Sequence, residues 1–439
     1  MANPRLLPTL NEKWDTYPMT PDEIHDFPYA LKNAEDRLNR DPKVRAQDRR
    51  LILSFLKHIQ ANQVSVGRQS KYVNMLHIAA VHIRVPFRRA KRKDVEDLMT
   101  KLADYEFVRR PKDGTEKRCH YSAETMSDFR KIIKRFQKFV RYGDTDVDTP
   151  FPDEVKWLHG TMKVNEKQDP LYFTDDEVEA LLKAADTARD RAMISLAAEL
   201  GPRVGELLLL RVGDIRFDDD GARLSVRKGK TGPRTLRLIS SVAYLRDYVS
   251  NHPFRDKDPQ APMWLTTSLN HLHQPLSWVA ADRRLKQIAR KAGVNKPRAY
   301  WYMFRHCSAT RNARYLTDSE MRLMFGWSRD SKMPGVYVHL TGGDLEAKYQ
   351  EVYGSGKPVE PPKPAFSPVV CARCGDKASP GMRFCPKCAS PLEAEARAKM
   401  AVQEEETRNE IAELRKLVEK SLNHPASEGG PGSSPGPTS

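Results

Sequence analysis

Four short stretches between residues 200 and 340 hold side chains suited to chemistry on a phosphate ester. Arg203 follows Gly201-Pro202, which ends one predicted helix and opens the next, so its guanidinium and the first N–H groups of that helix can converge on one phosphate. Lys228 and Lys230 lie in Lys228-Gly-Lys-Thr-Gly-Pro-Arg234, a turn between predicted strands that can carry an ammonium into a bound duplex. Arg305 and His306 stand together in Tyr302-Met-Phe-Arg-His-Cys307, at the head of an amphipathic segment. Trp327 precedes Tyr337 by ten residues in a stretch that also holds Met333-Pro-Gly. Taken singly, each has a bland reading: a surface arginine, a solvated basic turn, a chance Arg-His pair, aromatic core packing. A Walker loop is excluded, because the glycine it needs five residues before Gly229 is Leu224, and because the turn joins two strands instead of opening a helix.

In this order and spacing the four stretches resemble the tyrosine recombinase family, also called phage integrases, which includes the Xer-type enzymes. The resemblance is close over residues 171–353, strongest to the archaeal branch in Gly-Trp…Ser…Met-Pro…Tyr-Val-His-Leu340, and loose over the preceding helical region. It implies a site-specific DNA recombinase that cleaves and rejoins strands through a 3′-phosphotyrosine. Tyr337 matches the nucleophile, and Arg203 the first arginine, in a Gly-x-Arg-x-x-Glu pattern completed by Gly201 and Glu206. Arg305 matches the second arginine, and Trp327 the position held by histidine or tryptophan, where an indole N–H can touch a phosphate oxygen. Lys230 fits the hairpin lysine, with Lys228 as its rival. The sequence departs from the family at Tyr302, which stands where the His-x-x-Arg histidine is usual. A phenol there can contact phosphate but is a poor base at neutral pH. His306 and His339 are substitutes, neither at the family position.

The residue types suit the reaction. Charge gathers on the phosphoryl oxygens as phenolate attacks, and two permanent cations answer it. A lysine can protonate the leaving 5′-oxygen. Exchanging one phosphodiester for another of similar energy needs neither a nucleotide nor a catalytic metal. The rivals are a type IB topoisomerase, a DNA-binding protein without catalysis, and an adaptor that works through its C-terminal appendages.

The elements that must position these groups follow from periodicity. Residues 1–29 read as an N-terminal arm. Residues 30–145 read as an all-helical domain, of the SAM-like core-binding kind by the resemblance, whose last helix sets Phe129, Ile132, Ile133 and Phe136 on one face and Lys131, Lys134, Lys138 and Arg141 on another. That basic face, with Arg88-Arg-Ala-Lys-Arg-Lys93, is expected to neutralise phosphates. Residues 146–170 read as a linker. Residues 171–356 read as an α+β catalytic domain, opened by the capping signal Thr174-Asp-Asp-Glu177 and carrying three strands near Ile215, Leu224 and Thr235. The expected fold class is therefore mainly α with a small antiparallel sheet, arranged as a two-domain DNA clamp.

A Pro-rich linker, 357–368, leads to Cys371, Cys374, Cys385 and Cys388 in the pattern Cys-x2-Cys-x10-Cys-x2-Cys. This is tetrahedral zinc spacing with no open position, so residues 369–391 read as a structural zinc ribbon; redox use is the alternative. Cys119 and Cys307 lie alone and receive no role. A charged helix spans 392–424, with Ile411, Leu414, Val418 and Leu422 at helical spacing that leaves self-association open, and 425–439 reads as a disordered tail.

Of 439 residues, 74 are Lys or Arg and 58 are Asp or Glu, a formal charge of +16. That excess suits double-stranded DNA as partner. By the resemblance, the working assembly is a homo-oligomer of four protomers on two DNA sites. No apolar run approaches the roughly 18 residues of a membrane span, so the expected location is cytoplasmic, on DNA, with no membrane.

Overall fold

The computed structural model describes residues 24–109, 116–159, 171–227, 229, 232–268, 272–294, 296, 299–338, 349, 353–354 and 366–422. The arm before residue 24, Lys228, Lys230, His339 and the tail after residue 422 lie outside the described residues. The fold is mainly helical with small antiparallel sheets, an α+β chain. It divides into two compact units: Met1–Leu171 with Val204–Leu210 and Pro262–Arg283, and Tyr172–Arg203 with Arg211–Ala261 and Arg284–Ser439.

In the first unit α1 (Phe27–Arg40), α2 (Ala46–Ala61), α3 (Val66–His82), α4 (Arg92–Asp104) and α5 (Ala123–Tyr142) enclose one apolar core. Their buried residues recur at helical spacing: Leu51, Phe55, Leu56 and Ile59 on α2, and Phe129, Ile132, Ile133 and Phe136 on α5. Phe55 sits at the centre, its ring 5.7 Å from Tyr72 and 5.3 Å from both Phe136 and Phe139. Ser122 caps α5, and Gly143 ends it in the left-handed region at φ 78°.

Two features differ from the sequence reading. The region is not all-helical: β1 (Phe107–Arg109) and β2 (Lys117–Cys119) form an antiparallel ribbon, supported by Phe107 against Tyr121 at 5.1 Å. The basic face of α5 is also largely spent on its own chain. Lys138 is buried and donates to the Asp146 carbonyl, Lys134 stands 4.3 Å over the Phe151 ring, and Arg141 pairs with Glu154 at 2.8 Å. The cause is the following segment, which folds back along the helix through α6 (Asp153–Lys156) and buries Val155 and Leu158 in the core. Of that face Lys131 and the paired Arg141 stay exposed, as do Arg88, Arg89, Lys91, Arg92 and Lys93.

The second unit is organised on α8 (Ala188–Leu200), which follows α7 (Asp175–Ala184). The capping box read from the sequence starts α7: Glu177 N–H donates to Thr174 Oγ1 at 3.2 Å and Thr174 N–H to the Glu177 carboxylate at 2.8 Å. Helix α8 is buried on nearly every side. The five-residue helix α9 (Val204–Leu208) is counted with the first unit; after it in the chain comes the second unit's sheet of β3 (Ile215–Asp218), β4 (Gly221–Val226) and β5 (Arg234–Leu238), in the order β3-β4-β5, with Ile215 opposite Leu224 and Val226 opposite Arg234. Helix α10 (Val242–Ser250) returns onto α8, where Glu199 accepts from the N–H groups of Ile239, Ser240 and Ser241 at 2.7, 2.9 and 2.8 Å. After α11 (Trp278–Lys291) come α12 (Tyr302–Asn312), α13 (Asp318–Phe325) and α14 (Pro334–Tyr337). Arg311 fastens α12 to both earlier helices, donating to Asp175 at 3.1 Å and to the Ala198 carbonyl at 2.9 Å.

The C-terminal part of this unit holds the two-residue strands β6 (Val369–Val370) and β7 (Lys377–Ala378) and a long helix, α15 (Ala394–Leu422). The cysteine segment packs on α10: Tyr244 donates its hydroxyl to the Pro380 carbonyl at 3.2 Å, and Lys183 pairs with Glu393 at 3.1 Å. No described helix is long and apolar enough to cross a membrane.

Candidate active site

The site is assembled around the end of α13. Gly326 takes the left-handed conformation at φ 57° and stops the helix, leaving its last carbonyls without intrahelical partners. Three guanidinium groups fill that need. Arg234 Nε donates to the Met324 carbonyl at 3.1 Å, Arg305 Nη2 to Phe325 at 2.6 Å, and Arg203 Nη2 to Gly326 at 2.9 Å. Cations at the negative end of a helix are electrostatically favoured. Arg305 also donates from Nη1 to the Gly201 carbonyl at 3.0 Å, and only 1% of it is exposed.

Gly201 is where chain geometry demands glycine. It lies at φ 56°, and a Cβ there would come within 3.0 Å of the Arg305 backbone and the Phe325 ring. The absent side chain lets α12 approach the end of α8.

Phe325, Trp327 and Tyr337 form a stack beside Arg305. The rings of Phe325 and Trp327 are 5.0 Å apart, and those of Trp327 and Tyr337 are 5.8 Å apart and parallel within 6°. The Arg305 guanidinium lies 5.3 Å from the Phe325 ring and 5.5 Å from Trp327. The Tyr337 hydroxyl lies 2.6 Å from His306 Nδ1, and Tyr302 packs edge-on against the same imidazole at 4.7 Å. Burial pushes the Tyr337 phenol up to about 12, nearby Tyr302 adds to the rise, and Arg305 opposes it. Burial and then Arg305 hold His306 below the ordinary histidine range.

Of the residues singled out in the sequence, Arg203, Arg305, Trp327 and Tyr337 are brought together by these contacts, and Tyr302 joins through His306. Tyr302 is 41% exposed. The other late tyrosines stand apart in exposure: Tyr349 and Tyr353 are 59% and 79% exposed, against 5% for Tyr337. Glu206 is buried. Sequence reasoning missed Arg234; the available signal was its place at the close of the Lys-Thr-Gly-Pro-Arg turn, where β5 begins. With Arg322, Arg329, Gly326 and Trp327 it lines a cleft of about 470 Å³. A larger cleft, about 1430 Å³, lies between the cysteine segment and α10, remote from this chemistry. Cys307 is buried, which pushes its thiol up to about 11 and suits an inert side chain.

The four remaining cysteines form one cluster, their sulfurs all within 4.8 Å of one another, with Cys371 and Cys388 3.6 Å apart and Cys374 and Cys385 3.5 Å apart. Tetrahedral sulfur ligands at about 2.3 Å from zinc would lie roughly 3.8 Å apart, so the cluster fits that ion. The two Cys-x-x-Cys turns match each other: Gly375 N–H returns to the Cys371 carbonyl and Ala389 N–H to that of Cys385, both at 2.9 Å.

A phenol is thus stacked beside a buried arginine, with a second arginine on the adjoining carbonyl. The chain matches the model of the phage integrase family, the tyrosine recombinases, over residues 172–342, and this domain is of the site-specific recombinase class. It is 23% identical over 236 residues to the tyrosine recombinase XerA of Saccharolobus solfataricus, covering 53% of this chain and 70% of that protein. It is 32% identical over 143 residues to XerA of Pyrococcus furiosus, covering 32% and 47%. Among solved structures it is similar to the XerH site-specific recombinase bound to a palindromic difH substrate, with 14% identity, a TM-score of 0.48, and 75% and 96% of the two chains covered.

Proposed function

We propose that this recombinase cleaves double-stranded DNA at specific sites by attack of Tyr337 on the scissile phosphate, giving a 3′-phosphotyrosine and a free 5′-hydroxyl, and rejoins the strand by the reverse step. Arg203 and Arg305 stabilise the charge that develops on the phosphoryl oxygens, and the Trp327 indole N–H donates to one of them. Lys230 protonates the leaving 5′-oxygen, and Tyr302 contacts the phosphate from the position the family usually gives to histidine. The observation that carries this reading is the convergence of Arg203 and Arg305 on consecutive carbonyls beside the Tyr337–Trp327 stack.

In this reading residues 30–145 and 171–356 clamp the duplex, and four protomers assemble on two sites. The four cysteines hold a structural zinc ion, whose role is to close the ribbon; the close sulfur cluster supports it.

The test is to trap the covalent complex on a nicked duplex that cannot religate and to digest it with protease. One DNA-linked peptide containing Tyr337 is expected, and none from Tyr337→Phe. An adduct recovered on Tyr302, Tyr349 or Tyr353 overturns the assignment.

A further inference from the structure

With Tyr302 at the usual histidine position, the proton of the attacking phenol needs another acceptor. The Tyr337 phenol, titrating at about 12, is almost wholly protonated near neutral pH and is a weak nucleophile in that form. Among the described residues, the neighbour within hydrogen-bond reach of its oxygen is His306 Nδ1, at 2.6 Å. We propose that His306 is the general base of strand cleavage, taking the Tyr337 proton as the phenol attacks and returning it on religation. This rests on the reading of Tyr337 as nucleophile.

The imidazole is held for that task. His306 follows Tyr302 by one helical turn on α12, and the edge-on Tyr302 ring supports it from the same helix. Tyr337 meets it from α14. Among the described residues, the titratable and charged groups set against the imidazole are Tyr302 and Arg305 from its own helix and Tyr337 from α14. Burial and the adjacent Arg305 charge both disfavour the imidazolium, so the ring stands neutral near pH 7 and Nδ1 can accept. In the forward step the Tyr337 Oη–phosphorus bond forms and the bond to the 5′-oxygen breaks. The phenol proton passes to Nδ1, while the 5′-oxygen takes its own proton from a separate acid. Religation reverses both transfers.

The sign of the pH dependence follows. A base that must be neutral works above its own titration point, which for His306 lies below 6.5. Single-turnover adduct formation by the full chain on a nicked duplex is therefore expected to be flat from about pH 6.5 upward and to fall about tenfold per unit once the imidazole protonates. His306→Asn places an acceptor near the position of Nδ1 but cannot take the proton. Its rate is expected to drop about 100-fold or more at pH 7 and to climb with pH as the phenol itself ionises. A substrate with sulfur in place of the 5′-bridging oxygen, whose thiolate leaves without a proton, is not expected to restore it.

A wild-type rate that rises steadily from pH 6.5 to 9 overturns the proposal even if the variant fails to fold. So does a folded, DNA-binding His306→Asn protein with wild-type rate and profile, or one rescued by the bridging sulfur. An adduct formed by Tyr337→Phe would instead remove the nucleophile reading, so the two failures are distinguishable.

Discussion

Arg305 and Arg203 donate to consecutive carbonyls, those of Phe325 and Gly326, at 2.6 and 2.9 Å. The end of α13 thereby sets two guanidinium groups side by side through contacts with the protein's own backbone. Catalysis through charge stabilisation depends on such preorganisation, because cations already in place need no rearrangement as the transition state forms. Arg234 extends the run to Met324, so the helix terminus acts as a template for three cations.

Replacing Arg305 tests that template. Lysine carries the charge but lacks the planar fork that bridges the Gly201 and Phe325 carbonyls. Arg305→Lys should slow adduct formation by about 100-fold or more. Arg305→Ala should also lower stability by about 1–3 kcal/mol for each carbonyl left buried and unpaired. Thermal melting with single-turnover cleavage separates the effects; an Arg305→Lys protein at wild-type rate would sink the role.

Gly201→Ala should damage the site without touching a charged group. Alanine at φ 56° costs about 1–2 kcal/mol from handedness alone, and its Cβ would press on the Arg305 backbone, adding an overpacking cost of about 1–3 kcal/mol. A lowered melting temperature and slower cleavage are expected. Unchanged melting would show that α12 does not need this close approach.

Much of this was legible in the sequence where the signal is local. The capping box at Thr174, the strands flanking the Lys-Thr-Gly turn, and the order of Arg203, Arg305, Trp327 and Tyr337 are written in short windows. What depends on distant packing was not legible. Nothing near Lys138 shows that the chain returns to bury it, and the β1–β2 ribbon rests on an aromatic cluster that joins Phe107 to Tyr121. The contact of His306 with Tyr337 joins residues 31 positions apart, so periodicity could not reveal it. Arg234 escaped notice because a single arginine closing a turn looks solvated until the end of α13 is placed beside it.

The basic residues now divide into two groups with different behaviour. Arg88, Arg89, Lys91 and Lys93 are exposed, and their joint replacement by glutamine should flatten the salt dependence of DNA binding, by about 0.9 in log–log slope for each phosphate no longer neutralised. Lys138 is buried on the Asp146 carbonyl, so Lys138→Gln should lower the melting temperature and leave the slope unchanged. Binding titrations between 50 and 200 mM salt, roughly the range over which phosphate neutralisation is felt most strongly, decide it. A slope altered by Lys138→Gln alone would return that residue to the DNA face.

The cysteine cluster should bind one zinc per chain in reducing buffer, and Cys374→Ser should abolish it. Three thiolates and a hydroxyl make a far poorer zinc site than four thiolates, and folding of so small a ribbon is coupled to its metal. Loss of the ribbon should be felt on α10. Tyr244 is 4% exposed and its hydroxyl is held by the Pro380 carbonyl, while a Cβ added at Gly381 would stand 3.4 Å from Glu179 and 3.6 Å from the Tyr244 oxygen. Burial pushes the Tyr244 phenol up to about 12. When the ribbon unfolds that phenol meets water, so ultraviolet titration of Cys374→Ser should show one tyrosine moved down toward the ordinary value near 10. The Lys183–Glu393 pair is lost as well, though half-exposed ion pairs contribute little, so the fall in stability should come mainly from uncovered apolar surface. Cleavage of a short nicked duplex should survive, because Tyr337, Arg203 and Arg305 draw their partners from α8, α12 and α13 and the turn after it. Metal analysis that finds no zinc would end the claim, and a Cys374→Ser protein that keeps its Tyr244 titration but loses cleavage would place the ribbon in the reaction instead.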